Sequence, residues 1–347
     1  MKRPVINRAT MKDVAREANV SPSTVSYVIN DNEHAQRFTD ATKQRVLDAV
    51  HRLGYKFNPI GRALQRGYTN QVILLIVTWD LATSHSATAM AISRAAIARD
   101  FELTVHVADS NADAEAFLKR QMLHNTGGIL VLWDSPAMRE SCLNQLAAEG
   151  VPVVDLLPDS PPGISTVTPD REDAFLQGTK YLIGLGHRRI GLISDSLTRP
   201  KTTLCKVAGY RRALEAARLK FDESLVVNIT EFGFDGGVSG FASLLQRNAN
   251  VTAAICINDA IAMGAIAAAA DAGRQCPKDF SVVGFGDSAM SKYSRPALTT
   301  FALSANRVAE ASVGLIFEQR QGLITKYQTI MVPEELIVRQ SSGPAPK

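Results

Sequence analysis

Aromatic residues make up only 6% of this chain, and its four cysteines stand far apart. Cys142, Cys205, Cys256 and Cys276 form no C-x-x-C pair. They read as small core residues in a reducing compartment, not as a disulfide frame or a thiolate metal site. His34, His51, His85, His106, His124 and His187 are dispersed and no H-E-x-x-H pair occurs, so no metal is expected. A G-x-x-x-x-G-K-[ST] phosphate loop is missing. Gly184-Leu185-Gly186 follows a helix and precedes a strand, the wrong order for a dinucleotide turn, and no third glycine fits. Gly237-Val238-Ser239-Gly240-Phe241 misses the G-x-S-x-G elbow because its last glycine is out of place. On these grounds no catalytic residue and no cofactor are assigned, and an enzyme is not expected. There is also no N-terminal signal sequence and no apolar run of spanning length. A cytoplasmic protein is therefore expected, and the sequons at Asn228 and Asn250 read as chance matches.

What is present suggests about two domains, since 347 residues exceed the usual single-domain length. With 46% hydrophobic and 21% charged residues the chain can bury a sizeable core. The net charge of +4 is unevenly placed. Residues 1–70 hold 12 Lys/Arg against 6 Asp/Glu, and residues 71–347 hold 26 against 28. The positive end is where phosphate neutralisation would use it.

That end contains Thr10 to Asn30, TMKDVAREANVSPSTVSYVIN, which reads as two short helices around a tight turn. Thr10 can cap the first helix, with Asp13 as a short capping-box partner. Asn19-Val20 closes the turn. Ser21 caps the second helix, and Pro22 sits at its first position, where a missing N–H costs nothing. At about 100° per residue, Val25, Val28 and Ile29 share one side, and Ser23, Ser26, Tyr27 and Asn30 share the other. A buried stripe opposed by short hydrogen-bonding side chains suits a helix that reads the major groove, although a plain helical hairpin has the same pattern. A third helix is expected from Thr39 to Leu53. Thr39 is its cap, Val46, Leu47, Val50 and Leu53 its apolar stripe, and Gly54 its stop.

Residues 57–70 read as a linker holding a marginal helix. Asn58 can cap it and Pro59 can start it, while Gly61 costs it about 1 kcal/mol relative to Ala. Leu64 between Arg62 and Arg66 offers an apolar wedge flanked by cations, the device by which minor-groove binders open a base step. A simple tether with an incidental Leu is the plainer reading.

From Gln71 onward, short β-branched runs alternate with helical segments. Strands are expected at 72–77, 103–107, 128–132, 152–156, 189–193, 253–257 and 282–285. Helices lie between them, among them 87–99, 115–124, 171–185 and 209–217. This alternation means βαβ units and parallel sheets covered on both faces, and its extent suggests two doubly wound lobes. Ligands in such sheets bind beyond the carboxyl ends of the strands. Those ends carry Thr78–Asp80, Trp133-Asp134, Ser194–Ser196, Asn258-Asp259 and Gly286-Asp287.

Taken together, these residues resemble the LacI/GalR family of transcriptional regulators. The resemblance rests on MKDVAREANVSPSTVSYVIN, TDATKQRVLDAVHRLGYKFNPIGRAL, GLGHRRIGLI, AGYRRALEAA, AAICINDAIAMGAI, FSVVGFGD, LTT and VPEELIVRQS, and covers nearly the whole chain. It implies an α/β protein with a three-helix headpiece at 1–56, a hinge helix and linker at 57–70, and a periplasmic-binding-protein-like effector domain at 71–341. Three crossings near residues 170, 298 and 328 would divide that domain. The first lobe would hold 71–170 plus 299–328, the second 171–298 plus 329–341. Implied partners are a pseudo-palindromic duplex, a second copy of the chain and a small carbohydrate-like effector.

The resemblance also implies site residues. Pro22, Ser23 and Tyr27 take the base-reading positions. Thr24 and Asn30 hold phosphates or flanking edges, Thr10, Ser21, Ser26, Asn58 and Arg62 complete the DNA-binding set, and Leu64 is the inserted leucine. Trp79, Ser84, His85, Trp133, Ser194, Thr198, Lys206, Phe232, Asn258 and Asp287 would line the effector crevice. Three departures stand out: Ser84-His85 replaces the usual aromatic pair, Lys206 the usual Arg, and Gly286 the first acid of the G-[FY]-D-D/N run. Losing a fixed negative charge while keeping a cation favours an anion, such as a sugar acid, over a neutral sugar. The competing class is a small-molecule-binding or catalytic two-lobed protein with an incidental helical N-terminus.

Overall fold

The computed structural model describes residues 9–29, 33–56, 67–77, 83–122, 125–133, 135–158, 160–195, 200–231, 233–247, 250–324 and 326–347, with backbone only at 33, 34, 83–85, 122, 136, 195 and 200–203. The chain falls into two units, 1–67 and 68–347. Of the expected site residues, Asn30, Asn58, Arg62, Leu64, Trp79, Thr198 and Phe232 lie outside the described residues.

In the first unit, α1 (Met11–Ala18) and α2 (Pro22–Ile29) pack with α3 (Asp40–Arg52), and a 3₁₀ turn at Glu33–Arg37 precedes α3. Asn19 ends α1 in the left-handed region at φ 53°, a conformation that asparagine tolerates better than most residues. Val14, Ala15, Ala18, Val25, Val28, Val46 and Ala49 form the core. The stripe expected for α3 is partly corrected. Leu47 is 48% exposed and Leu53 37% exposed, and Ala49 takes the buried position instead. With so small a core, the chain places a small side chain where three helices meet.

The second unit holds two parallel sheets. The first has strand order β11-β5-β4-β3-β1-β2, built from β1 (Gln71–Val77), β2 (Glu102–Ala108), β3 (Gly128–Trp133), β4 (Val153–Asp155), β5 (Ser165–Pro169) and β11 (Thr329–Val332). Its interior strand β1 is buried from Val72 to Val77, the continuous apolar run that a sheet covered on both faces requires. Covering helices are α4 (Thr83–Ile97), α5 (Asn111–Met122), α6 (Pro136–Ala148) and α12 (Ala305–Arg320).

The second sheet runs β7-β6-β8-β9, from β6 (Ile190–Asp195), β7 (Val226–Ile229), β8 (Ala253–Cys256) and β9 (Ser281–Val283). Around it lie α7 (Arg171–Gly184), α8 (Pro200–Ala216), α9 (Phe234–Arg247) and α10 (Asp259–Asp271), with the short α11 (Ala289–Tyr293) after β9. A Cβ on Gly237 of α9 would overlap the Ile261 carbonyl of α10, and one on Gly264 of α10 would overlap the Phe234 carbonyl of α9. Only glycine lets these two backbones approach so closely.

The chain first leaves the first sheet between Pro169 of β5 and Arg171 of α7. The other two come later than expected. β10 (Thr300–Ala302) pairs antiparallel with β12 (Glu335–Ile337), and Phe301 is buried in the second lobe's core. β11 pairs parallel with β5 and so belongs to the first sheet. The chain therefore passes to the first lobe after 302 and returns after 332, not near 298 and 328. Residues 300–302 lie with the second lobe and residues 329–332 with the first, set by strand pairings that local periodicity does not record.

Candidate nucleic-acid interface and effector crevice

Local chemistry sets the first surface. The Thr10 hydroxyl accepts from the Asp13 N–H at 3.3 Å, and the Thr10 N–H donates to the Asp13 carboxylate at 2.9 Å. Bonds from Thr10 hold the Asp13 carboxyl below the usual carboxylate range. The Ser21 hydroxyl accepts from the Thr24 N–H at 3.0 Å and lies 2.9 Å from the Thr24 hydroxyl. Together these caps fix where α1 and α2 begin, and hence which face α2 presents. Val25 and Val28 are buried. Pro22 and Ser23 are exposed, and Ser26 and Tyr27 are half-buried. Phe38 is the residue that sequence reasoning missed. Its ring stacks on Tyr27 with centroids 6.4 Å apart and 22° between planes, which limits where the Tyr27 hydroxyl can reach. Its one signal in the sequence is an aromatic in an otherwise polar stretch.

The second candidate lies at the carboxyl ends of the strands. Ser194 at the end of β6 is fully buried, and Lys206 on α8 is 5% exposed; both are engaged by neighbours. Asn258 is half-buried and caps α10, its side-chain oxygen accepting from the Ile261 N–H at 2.8 Å. Asp287 follows β9 at φ 45°, and its Oδ1 pairs with Arg339 Nη2 at 2.6 Å. That ion pair satisfies much of the carboxylate expected to meet a ligand. Gly286 has φ 119°, a region that L side chains rarely adopt, so an acid cannot be restored there without strain. Ser84 and His85 fall in the first turn of α4, where only the backbone is described.

Trp133 is a correction. It is fully buried in the first lobe's core, and its indole N–H donates to Asn111 Oδ1 at 2.7 Å. A bulky aromatic at a strand end looked like a crevice wall, but here it is packing. Beside it Arg139 donates to the Trp133 carbonyl at 2.7 Å and approaches Asp155 Oδ2 at 3.3 Å, both side chains being essentially unexposed. Asp155 also accepts from the Ser160 hydroxyl at 2.6 Å and the Leu157 N–H at 3.1 Å. The buried pair ties the end of β3 to the end of β4.

Asp259 is a second residue that the sequence did not single out for a role. It accepts from the Ser288 N–H, the Ser291 hydroxyl and the Thr300 hydroxyl, and so joins α10, the loop after β9 and the second crossing. Burial pushes the thiols of Cys142, Cys205 and Cys256 up, and that of Cys276 up to about 12, so none is a ready nucleophile.

A capped helix-turn-helix on the same chain as two parallel α/β lobes with polar strand ends defines a class: DNA-reading proteins that carry a small-molecule-binding fold. Residues 10–58 match the family of bacterial regulatory proteins, lacI family, and residues 179–342 match the periplasmic binding protein-like domain. Catabolite control protein A of Priestia megaterium is 30% identical over 336 residues, covering 96% of this chain and 99% of that protein. The transcriptional repressor PurR of Mannheimia succiniciproducens is also 30% identical, covering 96% and 98%. Among solved structures, a transcriptional regulator CelR–cellobiose complex is 27% identical with a TM-score of 0.72, covering 96% of this chain and all of that one. The lac repressor dimer bound to operator and an anti-inducer shares the fold at a TM-score of 0.79 and 22% identity, covering 97% and 100%. This chain belongs to the lacI family of bacterial transcriptional regulators. Among the described residues, no helix is long and apolar enough to cross a membrane.

Proposed function

We propose that the protein is a cytoplasmic repressor that binds a pseudo-palindromic operator as a homodimer and is controlled by a small carbohydrate-like effector. One observation carries the DNA reading: the Ser21 cap and the buried Val25 and Val28 fix α2 so that Pro22 and Ser23 face outward beside Tyr27. The headpiece would span 1–56, with the hinge at 57–70 and Leu64 entering the central base step. Relatives such as PurR and DegA are named as transcription regulators, so no catalytic role is proposed. Binding to duplex DNA should weaken steeply with salt, because several phosphates are neutralised. A salt-independent interaction would overturn the reading.

For the effector, the supporting observations are electrostatic. Position 286 carries no acid, Asp287 is paired with Arg339, the Asp259 carboxylate beside position 286 is held by Ser288, Ser291 and Thr300, and the buried Lys206, itself engaged by a neighbour, supplies positive charge. Such a crevice favours an anion, for which a sugar acid is our choice. Calorimetry on the full chain should show a sugar acid binding more tightly than its neutral parent sugar, with the preference lost in Lys206→Gln. Tighter binding of the neutral sugar to the wild type would refute the charge argument.

A further inference from the structure

The third crossing holds a side chain that neither the DNA-reading face nor the crevice uses. Glu334 follows Pro333 between β11 and β12, where the chain leaves the first sheet. Both of its carboxyl oxygens are buried, and neither has a hydrogen-bond partner. The first crossing runs alongside: the Asp170 N–H donates to the Val332 carbonyl at 2.9 Å, and the Asp170 side chain caps α7 through the Asp173 N–H at 3.1 Å. Two charges act on Glu334 from that side, Arg171 favouring the carboxylate and Asp170 opposing it. Arg171 Nη1 donates to the Thr168 hydroxyl at 3.0 Å. On the crossing's own strand the neighbouring Glu335 is exposed, and β10, which pairs with β12, contributes only Thr300, Phe301 and Ala302. Burial outweighs Arg171 and pushes the Glu334 carboxyl up to about 8, so the group is an uncharged acid at neutral pH.

Two facts make this placement informative. A buried acid without a partner is costly in the arrangement that holds it. Crossing segments are also where backbone angles change when lobes move on one another. We propose that Glu334 is a proton-sensitive latch on lobe movement: the arrangement seen here keeps it as the neutral acid, and loss of its proton favours a second arrangement in which the carboxylate meets Arg171 or water. The direction follows from linkage. The arrangement with the raised value binds the extra proton, so it is favoured at acidic and neutral pH and disfavoured as pH rises through about 8.

The test uses the full chain without any effector. Carboxyl resonances of glutamate-labelled protein are followed from pH 5 to 9.5, together with hydrogen exchange at 169–171, 302–304 and 332–335. The wild type should show one resonance titrating near pH 8 that is missing in Glu334→Gln. Exchange in the three crossings should rise across the same interval beyond the intrinsic base-catalysed increase, and only in the wild type. Because the amide matches the neutral acid in shape, Glu334→Gln should fold, and Glu334→Leu gives a second uncharged comparison. A Glu334 resonance titrating below pH 6, or identical exchange profiles in the wild type and both variants, would overturn the proposal.

Discussion

The headpiece and the second lobe are held together by opposite means. Among the described residues, the headpiece's main core cluster holds seven buried side chains, and its shape depends on hydroxyls three residues from the N–H groups they cap. The second lobe has a large continuous core, and its shape depends on the close approach of neighbouring helix backbones, as at Gly237 and Gly264. A small core buries too little surface to tolerate loss, whereas a close-packed interface tolerates no addition. The two regions should therefore fail under opposite kinds of substitution, removal in the headpiece and addition in the lobe.

The largest effect should come from Gly237→Val. A branched side chain against the Ile261 carbonyl must push α9 from α10, costing about 3 kcal/mol or more. Denaturant unfolding of the full chain should show the transition of unit 68–347 shifted while that of the headpiece stays put. An unchanged midpoint would break the comparison on the lobe's side. Next in size is Val46→Ala, which removes two methyl groups from a fully buried site in the headpiece. It should cost about 2 kcal/mol and shift only the headpiece transition. A core able to collapse around the gap would show a much smaller loss and argue against the marginal headpiece.

Ser21→Ala should cost about 1 kcal/mol, because the Thr24 N–H loses its acceptor. Ser21→Gly should cost only a few tenths. Equal losses from the two would mean that packing, and not capping, sets the start of α2. The smallest effect concerns pH. His187 is buried, with its ring nitrogens near the Thr252 and Ser281 hydroxyls and the Gly343 carbonyl at 2.9, 3.1 and 3.0 Å. Burial lowers its pKa, so the folded chain binds fewer protons than the unfolded one. Its contribution is thus present above the ordinary histidine value and lost as pH falls through that value toward the lowered one. Thermal melts of the wild type and His187→Gln should differ in acid slope, the wild type falling more steeply; parallel curves would contradict the assignment.

The same contrast explains what could be read from the sequence. Thr10, Ser21 and Thr39 all cap the helices expected of them, because a cap and its partner sit three residues apart. Apolar runs such as Val72–Val77 announce interior strands by composition alone. β5 and β7 are harder to see, since Ser165, Thr166 and Thr168 leave β5 little apolar character and Asn228 interrupts the short run of β7. β11 and the third crossing depend on pairing across more than a hundred residues, and the second crossing on the antiparallel pairing of β10 with β12. Within the crevice, residue types at strand ends were legible but their partners were not. Nothing local says that Trp133 turns into the core, that Arg339 neutralises Asp287, or that Asp259 gathers three donors.

The central claim is that α2 reads base sequence through its outward face, and selection from random duplex DNA tests it most directly. The wild-type full chain should enrich a two-fold symmetric consensus. Tyr27→Ala, which leaves the buried Val25 and Val28 in place, should enrich a different one with lower affinity. The same consensus from both proteins, or no enrichment by the wild type, would contradict the account.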